Sequence, residues 1–206
     1  MKALIFDQDR TLYPLNSKLT KELSKLTKKW FQDSLNIPDG DINQFYKSLP
    51  NMYPLIYDAI NYYHLELNNY FENVFGKINL EGLISKNELL IKFLSSQNIP
   101  IYVVTLAPLE YSKRLQSFLG LIEYITDTFS VCDYNPMKKV NVYESIRKEL
   151  KLNTEDILVV GDNFETDLRE AQEQSYKTAL INEKYCVKNS FRDINEFIHF
   201  YQKNKL

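Results

Sequence analysis

Short, unbroken apolar runs separated by helical periodicity constrain this chain most. Ala3–Phe6, Ile101–Thr105, Phe129–Val131, Ile157–Val160 and Thr178–Ile181 are apolar on both faces, as strands covered on both sides are. Between the later runs the apolar residues fall at helical spacing. Leu89, Leu90, Phe93 and Leu94 share one face, as do Tyr111, Leu115, Phe118 and Leu119, and then Val142, Ile146 and Leu150. Alternating strand and helix predicts a parallel sheet flanked by helices, a Rossmann-like α/β core. Ile194, Phe197, Ile198 and Tyr201 predict a last helix packed on that core.

The polar residues that close these runs carry the chemistry. Asp7 and Asp9 follow the first run, and two residues apart on an extended chain point the same way. Thr105 closes the second, and Gly161-Asp162 closes the fourth, with Asp167 five residues further on. Gly161 reads as a sharp backbone turn, and Asp162 as a site residue or as the cap of the helix expected over 165–174. Carboxyl ends of parallel strands are where open α/β sheets bind ligands. Several carboxylates, a hydroxyl and an ammonium from Lys138 or Lys139 suit Mg²⁺ and a phosphate together.

In this order the residues resemble the haloacid dehalogenase (HAD) superfamily, most of whose members are phosphatases. The four motifs span Asp7 to Asp167. The resemblance implies Asp7 as aspartate nucleophile, Asp9 as general acid and base, and Thr105 as the phosphate-binding hydroxyl. It implies Asp162 as a ligand of Mg²⁺ and Asp167 as the residue orienting the metal shell, with Asp9 adding its backbone carbonyl. Asp9 argues against a dehalogenase proper, because a leaving alkoxide needs a proton and a halide does not. Two positions depart from the pattern. Leu106 stands in the substrate-binding loop where the family has Asn, and ungapped alignment puts Met137 at the lysine position. A one-residue slide brings in Lys138, the favoured catalytic and phosphate-binding lysine; a two-residue slide brings in Lys139.

The expected reaction is hydrolysis of a phosphate monoester on a small metabolite through an aspartyl-phosphate. Such esters demand the removal of well over ~20 kcal/mol of barrier, so charge neutralisation and alignment must accompany the nucleophile. The stretch 15–82 has helical patterns only: Leu19 to Phe31, closed by Pro38-Asp-Gly40, then Ile42–Leu49, Tyr53–Tyr63 and Leu67–Phe75. It resembles the all-helical insertion of the superfamily's first cap class, which predicts a core of 1–14 with 83–206 and a cap of 15–82. Thr11-Leu-Tyr-Pro14, the tyrosine-rich 53–64 and Cys132-Asp-Tyr134 are similar to the pyrimidine 5′-nucleotidase branch, pointing to a nucleoside 5′-monophosphate. A tyrosine there could stack on a base, although such rings, like His64, ordinarily serve packing. Phosphoglycolate or a sugar phosphate is the alternative substrate, and a catalytically weakened binding or regulatory protein the alternative function.

Composition narrows the partners. Among 206 residues the net charge is −2 with no basic stripe, so no nucleic-acid polymer is expected. Five glycines, none in a phosphate-cradling loop, exclude a P-loop or dinucleotide fingerprint. No apolar run approaches a membrane span, so a cytoplasmic monomer or homodimer is expected, with Cys132 and Cys186 reduced.

Overall fold

The computed structural model describes residues 1–53, 55–133, 138–182 and 189–204. Tyr134, Met137 and Cys186 lie outside the described residues. The chain divides into two compact units, 1–17 with 84–206, and 18–83.

In the first unit, β1 (Ala3–Phe6) leads, and α5 (Glu88–Ser95) reopens the unit after the helical insertion. There follow β2 (Ile101–Thr105), α6 (Leu109–Leu119), β3 (Asp127–Ser130), α7 (Lys139–Leu150) and β4 (Ile157–Gly161). A π-helical turn over Phe164–Leu168 runs into α8 (Arg169–Glu173), and β5 (Lys177–Ile181), β6 (Ser190–Phe191) and α9 (Ile194–Asn204) complete it. Among the described residues the six strands form one parallel sheet, in the order β3-β2-β1-β4-β5-β6. The chain moves outward one way from β1 through β2 and β3, then returns to β4 on the other side. Strand order therefore reverses between β1 and β4, where such sheets open a crevice.

Strand periodicity sorts the core. Ala3, Ile5, Tyr102, Val104, Ile157 and Val159 face Val142, Tyr143 and Ile146 of α7 and Ala171 of α8. Phe6, of the opposite parity, meets Phe197 of α9, which also packs on Phe93 of α5. The parallel α/β architecture expected from the sequence is present. Only β6, two residues long, had no apolar run to announce it.

The second unit is helical: α1 (Lys18–Leu35), α2 (Ile42–Met52), α3 (Ile56–Tyr62) and α4 (Leu67–Tyr70), the last continuing as a π-helical turn to Gly76. Its interior is aromatic. Trp30 lies edge-on to Tyr70 at 5.0 Å, and Tyr70 meets Tyr57 and Phe75. The Trp30 indole donates to Asn69 Oδ1 at 2.8 Å, so its polar edge is satisfied within the unit. Tyr57 and Tyr70 thus serve packing, while Tyr62 stays exposed.

Candidate active site

Asp7 leaves β1 with its amide still in the sheet, donating to Val160 O at 2.8 Å. It keeps the parity of Ala3 and Ile5, which directs its carboxylate toward the α7 and α8 face. There it meets Lys139, the first residue of α7, whose Nζ donates to Asp7 Oδ1 at 2.6 Å and to Asp167 Oδ1 at 2.8 Å. All three are buried. A dry ammonium is tolerated only because two carboxylates flank it, and those carboxylates hold its pKa well above the ordinary lysine value despite burial.

Lys138, favoured from the sequence as the site lysine, is not at the cluster. It is exposed and pairs with Glu170. The reason is where α7 begins: Lys138 is the extended N-cap residue and Lys139 the first helical one, so only Lys139 turns inward.

Asp162 follows β4 and joins the group, so that carboxylate oxygens of Asp7, Asp162 and Asp167 all lie within 4.8 Å of one another. The cap of the following turn is Asn163, whose Oδ1 accepts from the Glu165 and Thr166 amides, which releases Asp162 from that task. Asp167 is fixed by the Asn163 amide at 3.0 Å and by Thr166 Oγ1 at 2.9 Å. Gly161 matters for space rather than for a turn. A Cβ there would stand 2.6 Å from both Cβ and Oδ2 of Asp167.

Thr105 closes β2 just past the level of Asp7, since Phe6 pairs with Val103. Its Oγ1 accepts from the Ala107 amide at 3.0 Å, leaving the O–H to donate. Leu106 is half-buried, with its side chain on the apolar cluster and its carbonyl taking a hydrogen bond from Cys132 Sγ at 2.9 Å.

Asp9 departs from the expected geometry. The chain leaves the extended conformation at once, with Leu12 N on Gln8 O at 3.0 Å, so strand periodicity does not set Asp9 beside Asp7. Its Oδ1 instead accepts from Tyr13 OH at 2.7 Å, while Thr11 Oγ1 donates to Asp7 Oδ2 at 2.8 Å. Each aspartate therefore has a hydroxyl partner four residues on, as a helical turn brings it. That spacing, Asp7 to Thr11 and Asp9 to Tyr13, was a readable signal in the sequence. Arg10, at φ 67°, reaches Asp162 Oδ2 with its Nε at 3.1 Å. Gln8, between the aspartates, is wholly buried and bonded at both ends of its amide: it donates to Ser112 Oγ and accepts from Gln116 Nε2, and Gln116 accepts from Thr128. This satisfied network ties the loop to α6 and β3.

Four carboxylates (Asp7, Asp9, Asp162, Asp167) face two cations, Lys139 and Arg10, which leaves two negative charges when all four are ionised. Burial and then the neighbouring Asp7 charge push Asp162 up to about 8 and Asp9 up to about 6; burial also raises Asp7. A buried, all-oxygen donor set with that excess charge fits Mg²⁺. Asp7 and Asp162 would hold it, with Asp167 beside them.

With the geometry in view, the lineage is clear from comparison. Residues 1–173 match the haloacid dehalogenase-like hydrolases, and the chain belongs to that family. Its fold is shared by a HAD phosphatase from Thermococcus onnurineus, 18% identical with a TM-score of 0.67 over 97% of each chain. YfnB from Bacillus subtilis, classed as a HAD-hydrolase and solved with magnesium bound, is 18% identical with a TM-score of 0.65 over 98% of each. A predicted phosphoglycolate phosphatase from Haemophilus somnus 129PT is 17% identical with a TM-score of 0.68 over 98% of each.

Two outcomes test this electrostatic picture. Lys139→Met strands two buried carboxylates and should cost about 3–5 kcal/mol of stability by chemical denaturation. Lys138→Met should leave the unfolding midpoint where it is. In EDTA, the raised carboxyls bind more protons folded than unfolded across the interval from their ordinary values near 4 up to about 8. The metal-free protein should therefore lose stability as pH rises from 5 to 8 in thermal melts, and added Mg²⁺ should restore more of it at pH 8 than at pH 5.

Proposed function

We propose that this chain is a Mg²⁺-dependent phosphomonoesterase that forms an aspartyl-phosphate on Asp7 and acts on a small phosphorylated metabolite in the cytoplasm. The observation carrying this reading is the buried Asp7 carboxylate at the strand-order reversal, within 4.8 Å of Asp162 and bonded to Lys139. Mg²⁺ bound there would neutralise charge on the nucleophile and on the phosphoryl oxygens. Asp7 attacks phosphorus as the bond to the leaving oxygen breaks, and Asp9 gives that oxygen its proton. Water then attacks the same phosphorus and gives a proton to Asp9, so that inorganic phosphate leaves and Asp7 is restored. Lys139 and the Thr105 hydroxyl hold phosphoryl oxygens as charge spreads. Lys139 thus takes the part expected of Lys138.

The substrate follows from two lines of support. Thr11-Leu-Tyr-Pro14 makes nucleoside 5′-monophosphates the first class to assay, and the likeness to a predicted phosphoglycolate phosphatase makes small phosphorylated acids the second. The helical insertion 18–83 serves as the cap that selects among them, in a monomer or homodimer.

Phosphate release from aryl phosphate and from a panel of UMP, CMP, AMP, phosphoglycolate and sugar phosphates checks the proposal. Mg²⁺-dependent turnover by the wild type, a fall of at least about 10³-fold in Asp7→Asn, and a phosphoryl-mass adduct on Asp7 after rapid quench are expected. A panel that stays unhydrolysed, with metabolites bound intact, would favour the non-catalytic alternative.

A further inference from the structure

Tyr13 is buried and donates its hydroxyl hydrogen to Asp9 Oδ1 at 2.7 Å. A phenol has one hydrogen to give, and Tyr13 spends it on Asp9.

We propose that Tyr13 is a positioning residue for proton transfer by Asp9: it occupies Oδ1 as an acceptor, confines the carboxyl proton to Oδ2, and fixes the rotamer that presents Oδ2 to the leaving oxygen. The inference rests on the phosphatase reading, in which Asp9 protonates that oxygen. Its distinctive consequence is selectivity by leaving group. A nitrophenolate departs with little help from an acid, whereas an alkoxide does not depart without a proton. Misplacing the Asp9 proton therefore penalises alkyl esters more than aryl ones. General loosening of the fold would penalise both alike.

The test compares kcat/KM, which reports the phosphorylation half-reaction, for p-nitrophenyl phosphate and glycerol phosphate. Wild type, Tyr13→Phe, Asp9→Asn and the double variant are assayed, with thermal midpoints measured alongside. Tyr13→Phe should lower the alkyl-to-aryl ratio by about tenfold, part of the contribution a general acid makes. Asp9→Asn should lower it further, and adding Tyr13→Phe to Asp9→Asn should leave the ratio where Asp9→Asn put it, because the two act as one unit. Equal losses on both substrates, or losses that multiply in the double variant, would overturn the inference while leaving the phosphatase reading intact. A wild type that turns over neither ester overturns both. If Tyr13→Phe does not fold, Tyr13→Met, which likewise lacks the donor, carries the same comparison, with a fall in the ratio expected and an unchanged ratio counting against the proposal.

Discussion

A lysine ammonium held out of water between Asp7 and Asp167 is the contact on which the site depends. Either partner alone would make burial of the other charge prohibitive, so the three must assemble together. Assembly draws on distant chain: Asp7 from the end of β1, Lys139 from the start of α7, and Asp167 from the turn before α8. The hydrophobic core that seats α7 and α8 against one face of the sheet is therefore also what closes the ion cluster. Stability of the fold and geometry of the site are coupled through the same side chains.

The sheet supplies the rest of the placement. Because strand order reverses between β1 and β4, which pair directly, Asp7 and Asp162 emerge side by side. Small features then hold the carboxylates in place. Gly161 yields the volume that Asp167 fills, and Asn163 takes over helix capping so that Asp162 is not consumed by it. Gln8 is bonded at both amide atoms within a buried network, which holds the loop carrying both aspartates to α6.

Much of this could be read from the residues. Continuous apolar runs fixed by double-sided burial gave the parallel core, and helical spacing gave every long helix, because both signals come from the sheer area that must leave water. Asp7 and Asp162 were legible as carboxylates at strand ends, and Asp167 as the acidic residue five positions beyond the second. What escaped was register and rotamer. Lys138 and Lys139 are identical in type, and only the start of α7 decides which one turns inward. Asp9 looked like a strand neighbour of Asp7, but the backbone curls immediately after β1, and its carboxylate goes to Tyr13 instead. The two-residue β6 carries too little apolar surface to show itself in a pattern.

The cluster is left with more negative charge than its own cations balance, and that imbalance is why a divalent ion belongs there. Calorimetric titration of Mg²⁺ into EDTA-stripped protein near neutral pH, in two buffers of different ionisation enthalpy, measures this directly. The account predicts saturable binding with net proton release, because raised carboxyls must ionise to become ligands, and predicts its loss in Asp162→Asn. Absence of binding, or binding that releases no protons and survives Asp162→Asn, would contradict it.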